Sequence, residues 1–188
     1  MYRLTIFANR ESRILYDMIL KPQDVFVSLK LASIGNVRWT YLRLANELHM
    51  STSEIAACVK RGLSAGLLVR AVGQIGTVPS RRALLEFLIH GVQYAFPPDR
   101  GQLARGMPTA YAAPPLRTEV VQGEDPVPVW PYAEGTVRGI SFSPLFRTAP
   151  QAANQDDQFY ELLALVDALR GGRARERDLA IRLLRERL

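Results

Sequence analysis

From Gln23 onward the apolar positions recur with a helical period. Val25, Phe26, Leu29, Ala32 and Ile34 fall on one broad stripe. That stripe predicts a helix from Gln23-Asp24 to about Ile34, ended by Gly35-Asn36. Leu42, Leu44, Ala45 and Leu48 predict a second helix, with Thr40 as its N-cap after Trp39. The polar stretch His49-Met50-Ser51-Thr52 interrupts the pattern. Ser53-Glu54 then opens a third helix carrying Ile55, Cys58, Val59 and Leu63, whose end Gly62 and Gly66 weaken. After Gly66 the period changes. Leu67 to Val72 reads as a strand, Gly73-Gln74 as a turn and Ile75 to Val78 as a short returning strand. Pro79-Ser80 starts a fourth helix, Arg81 to about Gln93, with Leu84, Leu85, Phe87, Leu88 and Val92. Proline suits the start of a helix, where a missing N–H costs little.

The remaining segments differ in kind. Residues 1–22 are mixed and read either as a short helix from Ser12 to Leu20 or as a loose arm, with Pro22 as a stop. Ten of the 12 prolines lie in residues 95–154, and runs such as Phe96-Pro97-Pro98 and Ala113-Pro114-Pro115 cannot continue helices. Short extended pieces are expected there at Thr118 to Val121 and Thr136 to Phe142. Tyr111, Trp130, Tyr132, Phe142 and Phe146 argue against free disorder, so this Pro-rich irregular middle is expected to wrap, ordered, over the helices. Residues 155–188 read as a helical hairpin. Asp156 or Asp157 starts the first helix, with Phe159, Leu162, Leu163, Val166 and Leu169 on one face. Gly171-Gly172 breaks it, and Ala174 to Leu188 follows. The expected organisation is thus 1–22, 23–94, 95–154 and 155–188, in a mainly α (α+β) chain.

Composition sharpens this picture. The chain has 188 residues and 48% hydrophobic residues, enough to bury a core without disulfides or a structural metal. Net charge is +6. From Met1 to Tyr94 there are 12 Lys+Arg against 6 Asp+Glu, and from Ala95 to Leu188 there are 12 against 12. The whole excess is therefore N-terminal, as in a basic module joined to a neutral one. Cys58 is the only cysteine, and His49 and His90 are the only histidines. These numbers exclude a disulfide framework and argue against a metal site. No apolar run reaches the ~18–20 residues of a membrane span. The apolar part of Met1 to Arg10 is too short for a signal peptide. A cytoplasmic protein without cofactor is expected.

Leu44-Ala45 and Leu48 in one helix, Met50 and Ser51-Thr52-Ser53 in the turn, and Ile55 and Cys58 in the next helix form a pattern. It resembles the winged helix-turn-helix regulators of bacteria, most nearly those of MarR-like type, over residues 23–90 or so. Ala45 stands where a small residue lets two helices cross closely. Leu63-Ser-Ala-Gly-Leu-Leu-Val69 is similar to a helix end leading into a wing. The turn departs from the pattern, because His49 stands where glycine is usual. A histidine can adopt the left-handed conformation at some cost, so the turn survives.

The resemblance implies a repressor-like, DNA-binding transcriptional regulator that binds duplex DNA as a homodimer. A helix fits the major groove, its N-terminal residues reach base edges, and nearby cations and hydroxyls hold phosphates. Ser51, Thr52, Ser53 and Glu54 occupy that helix start. Arg38, Arg43, Lys60, Arg61, Arg70, Arg81 and Arg82 are the candidate phosphate contacts. Residues 95–188 would serve dimerisation or bind a partner protein, as in antitoxin-type autoregulators.

Plainer readings compete. Ser51 to Ser53 also spell a simple N-cap. Trp39 reads as a core staple, Cys58 as a packed thiol, His90 as a satisfied, partly buried histidine and Arg81-Arg82 as a solvated face. Winged helices also serve as protein-interaction adaptors that never meet DNA. Gly62, Gly66, Gly73 and Gly76 form no phosphate-binding loop, and no GxSxG elbow is present, so no enzyme is expected. Adjacent Asp156-Asp157 is better explained as helix capping. The two Arg-Gly steps between Arg100 and Thr109 read as a site for an anion or a partner carboxylate, or more simply as an ordered turn, which is the expectation.

Overall fold

The computed structural model describes residues 19–35, 37–71, 76–120, 123 and 125–188. Most of the 1–22 arm and the expected turn at Gly73-Gln74 lie outside them. Helix α1 spans Pro22–Ile34. Pro22 is therefore not a stop but the first helical residue, where its missing N–H is harmless. Asp24 accepts a hydrogen bond from the Lys21 backbone N–H at 2.8 Å and so closes the first turn. Every residue from Asp24 to Ala32 is buried. A helix buried all round belongs at the centre of a protein.

Helix α2 (Tyr41–Leu48) is capped by Thr40, whose side chain accepts from Arg43 N–H. Helix α3 (Thr52–Ser64) begins one residue earlier than expected, on a Ser51–Glu54 capping box. His49 between them has φ 52° and ψ 45°, the left-handed conformation that a histidine adopts at some cost. Strands β1 (Leu68–Arg70) and β2 (Thr77–Pro79) pair antiparallel, with Val69 opposite Val78. Trp39 Nε1 donates to Thr77 O at 2.9 Å and so pins the chain before α2 to this hairpin. Helix α4 (Arg81–His90) stops at Gly91, and a single turn α5 (Val92–Ala95) follows. His90 is exposed, in ion-pair range of Glu86 across one helical turn. It is not the partly buried histidine expected, because it points away from the Leu84 and Leu88 face.

The proline-rich middle departs most from expectation. Strands β3 (Arg100–Pro108), β4 (Pro128–Pro131) and β5 (Val137–Phe142) close into a small barrel. β3 pairs antiparallel with both neighbours, and β4 runs parallel to β5. The stretch expected to be an Arg-Gly turn is thus the longest strand among the described residues, and the segment is no irregular wrap. The extended piece expected at Thr118 is instead a 3-10 turn, Leu116–Thr118. The strand expected from Thr136 is β5. Closure of so small a barrel depends on its glycines. A methyl at Gly106 would overlap the Trp130 carbonyl, and one at Gly139 would overlap that of Val127.

Helices α6 (Ala149–Ala153), α7 (Asp157–Gly171) and α8 (Ala174–Arg187) complete the chain. Asp156 caps α7, accepting from Phe159 N–H at 3.0 Å. The last two helices form the expected hairpin, with Arg187 reaching back to Glu161 at 3.1 Å. Leu162 to Arg170 are all buried, so α7 is a second central helix. It packs against α1, where the Phe26 and Phe159 rings meet at a tilt 5.1 Å apart, and it meets the barrel through Tyr160, which touches Trp130 and donates to Pro108 O. One apolar cluster runs from Val25 to Leu184, and the core therefore crosses the boundaries at 94/95 and 154/155.

Barrel and helix are joined by a buried polar network. Asp167 accepts from Trp130 Nε1 at 2.6 Å, Thr109 Oγ1 at 2.8 Å and Arg170 Nη1 at 2.6 Å. Arg170 also donates to Phe96 O and Ser143 O. Burial pushes the Asp167 carboxyl up, and these donors oppose that shift. Every oxygen of the carboxylate is satisfied, which a buried charge requires.

Candidate nucleic-acid interface

Helices α2 and α3 meet across a tight turn, and the β1–β2 hairpin follows at once. The turn is built locally. Leu44, Ala45 and Leu48 of α2 and Ile55 and Cys58 of α3 are buried. Ser51 Oγ accepts from Glu54 N–H at 3.1 Å, and Glu54 Oε2 accepts from Ser51 N–H at 2.9 Å. Bonds from the Ser51 backbone and side chain hold the Glu54 carboxyl below its ordinary value. Ser51, Thr52 and Ser53 remain exposed at the helix start, and Lys60 is exposed further along α3. Glu54 is thus engaged in capping and adds negative charge beside the hydroxyls.

The candidate cations divide into two groups. Arg38, Lys60, Arg70 and Arg82 are exposed, and no carboxylate lies in ion-pair range of them among the described residues. Arg43 is exposed but pairs with Glu47 at 2.6 Å. Arg81 donates to the carbonyls of Arg187 and Leu188 at 3.1 and 3.2 Å, which ties α4 to the end of α8. Arg61 is buried at 7% exposure. Its guanidinium grips Asp24 of α1 through two bonds, at 2.8 and 2.6 Å. It therefore cannot serve as a phosphate contact, and its candidacy is withdrawn. The reason is visible in the helix period: Arg61 follows Cys58 by three residues and shares its inward side.

The structure adds neighbours that sequence spacing did not bring forward. Arg147, on the loop after β5, reaches Glu54 at 3.8 Å and is largely exposed. Thr148 Oγ1 donates to Leu48 O at 2.7 Å. Gln155 Nε2 lies 3.3 Å from His49 Nε2. The turn between α2 and α3 thus rests on the α6 segment, more than ninety residues away in sequence. Lys30 ties the unit to the centre. It is 2.9 Å from Glu47 of α2 and 2.8 Å from Asp156 at the start of α7. Burial alone would raise both carboxyls, but at Glu47 the Arg43 hydrogen bond and the Lys30 charge, and at Asp156 the hydrogen bonds from Lys30 and Phe159 N–H, outweigh it and hold both below their ordinary values.

Apolar surface accompanies the cations. Val37, Tyr41, Leu42 and Val69 are exposed, Leu42 at 63%. Among the described residues no group of three or more His, Cys, Asp or Glu is placed to hold a metal ion, and no helix is long and apolar enough to cross a membrane. Burial raises the Cys58 thiol to about 12, and nearby Asp24 adds to the effect, so the thiol is packed and not reactive. No protein-family model matches the chain, and no curated protein or solved structure matches it.

Proposed function

We propose that this chain is a DNA-binding transcriptional regulator of winged helix-turn-helix type, with α3 as its recognition helix and the β1–β2 hairpin as its wing. One observation carries the reading. A solvent-facing helix start of three hydroxyl residues, fixed by a capping box, stands beside a β-hairpin and exposed cations. Exposed hydroxyls and unpaired N–H groups at a helix start suit phosphate and base edges, and Arg38, Lys60, Arg70 and Arg82 supply charge to hold the backbone. Arg147 adds a cation beside the helix start. The footprint of one chain is modest, and a homodimer would double it and read two half-sites. A repressor-like role follows if such a dimer occludes a promoter.

Substitution tests the reading. Lys60→Ala should weaken duplex binding across all sequences, and Arg70→Ala should do the same at the wing. If both variants bind duplex DNA as tightly as the parent chain, α3 is docked wrongly. A protein-interaction adaptor is the second reading, and the exposed Tyr41 and Leu42 on α2 favour it. On that reading, Leu42→Ser abolishes partner binding and duplex DNA is not bound at all.

A further inference from the structure

Strands β3 and β5 set two arginines directly opposite each other. Arg105 and Arg138 are partners in the antiparallel register, so their side chains leave the same face of the barrel. Both are exposed. Like charges in this register repel and weaken a strand pair. Neither has a carboxylate in ion-pair range among the described residues. Glu134, four residues before Arg138, instead accepts a hydrogen bond from the Tyr132 hydroxyl at 2.7 Å. Leu103 lies two residues before Arg105, hence on the same face, and is 51% exposed. Together with Thr136 and Val137, these three residues line a groove of about 420 Å³.

For the isolated chain this face is unfavourable twice over: it holds two guanidiniums in mutual repulsion and leaves a leucine in water. An occupant bearing carboxylates beside an aliphatic side chain relieves both. We propose that the Arg105–Arg138 face of the barrel docks an acidic, leucine-bearing segment of a partner protein. The planar guanidinium fork matches a carboxylate through two parallel hydrogen bonds. Arginine is also enriched at protein interfaces, where apolar neighbours exclude water around it. A nucleic acid would satisfy the arginines but would set its sugar-phosphate chain against Leu103, with no side chain to cover it. The proposal does not depend on whether α3 binds DNA.

The test uses the full chain and a fluorescein-labelled acidic peptide with interspersed leucines, followed by anisotropy. The parent chain should bind it, and a lysine-leucine peptide of the same pattern should not bind. Arg105→Gln with Arg138→Gln should lower affinity at least about tenfold, the least expected when a charged partner is lost. Leu103→Ser should lower it by a smaller factor. The double variant should also melt at a higher temperature than the parent, because the repulsion is gone. Failure of the parent chain to bind the acidic peptide overturns the proposal. So does unchanged affinity in the double variant, or a lower melting temperature, which would mark the arginines as structural. If the double variant loses duplex DNA affinity and not peptide affinity, the face is a nucleic-acid surface and the proposal falls. Lys60→Ala should bind the peptide as the parent does, which separates this result from the fate of the DNA reading.

Discussion

Replacing Arg61 by Met tests the assignment of that residue to the interior. In the folded chain Asp24 is fully buried and holds three hydrogen bonds, one from Lys21 N–H and two from Arg61. The substitution removes both guanidinium bonds and the cation that pairs with the carboxylate. Breaking a buried ion pair on one side costs about 3–5 kcal/mol. For a chain of this size each kcal/mol lowers the melting temperature by about 2–4 °C, so the expected fall is about 6–20 °C. Circular dichroism melts at neutral pH measure it. Asp24→Leu combined with Arg61→Met should recover much of the loss, because no buried charge is left unpaired. At a temperature where the single variant remains folded, its affinity for duplex DNA should equal that of the parent. The reasoning fails if Arg61→Met melts within about 2 °C of the parent and weakens DNA binding as much as Lys60→Ala does.

The Lys30 hub gives a pH-dependent prediction. Glu47 and Asp156 have lowered carboxyls, so their stabilisation is present above the unfolded carboxylate values of 4.5 and 3.8 and is lost as pH falls through the folded ones. The difference in stability between the parent and Lys30→Met should therefore be largest near neutral pH and shrink below about pH 4; a difference independent of pH would contradict the bridge. Cys58 should resist a thiol-specific reagent at pH 8 or so in the native chain and react after denaturation; fast native labelling would show an exposed thiolate. Gly106→Ala should lower the melting temperature by several degrees or prevent folding, because the methyl overlaps Trp130 O; an unchanged melting temperature would show that the barrel is looser than described.

What the sequence revealed was local. The Thr40 cap, the N-cap hydroxyls from Ser51 to Ser53 and the start of α7 at Asp156 each depend on residues within four positions, and each is legible from spacing. The barrel was not legible. β3 contains two glycines and ends in proline, without the alternation of a half-buried strand, and it is closed by partners up to some forty residues away. Asp167 and Arg170 sit in the buried stretch from Leu162 to Arg170, whose other residues are apolar, and only partners from outside the helix, Thr109, Trp130, Phe96 and Ser143, explain them. Within the candidate site, Arg61 was the instructive misreading. Its side chain lies at the Cys58 edge of the buried side of α3, and its partner Asp24 lies on a helix buried all round. Basic residues in a recognition helix need the helical period checked before they are counted as phosphate contacts. Arg147 was out of reach of local reasoning, since nearly a hundred residues separate it from Glu54.

The account stands or falls on duplex DNA binding measured across a salt series. Arg38, Lys60, Arg70 and Arg82 are the exposed cations of the unit without a carboxylate partner among the described residues. If they contact phosphates, log K should fall with log salt at a slope of about −3 to −4 per protomer, doubled for a dimer. Lys60→Ala should make that slope shallower by about one. Undetectable binding at low salt, or affinity indifferent to salt, would contradict the proposal that this is a DNA-binding regulator.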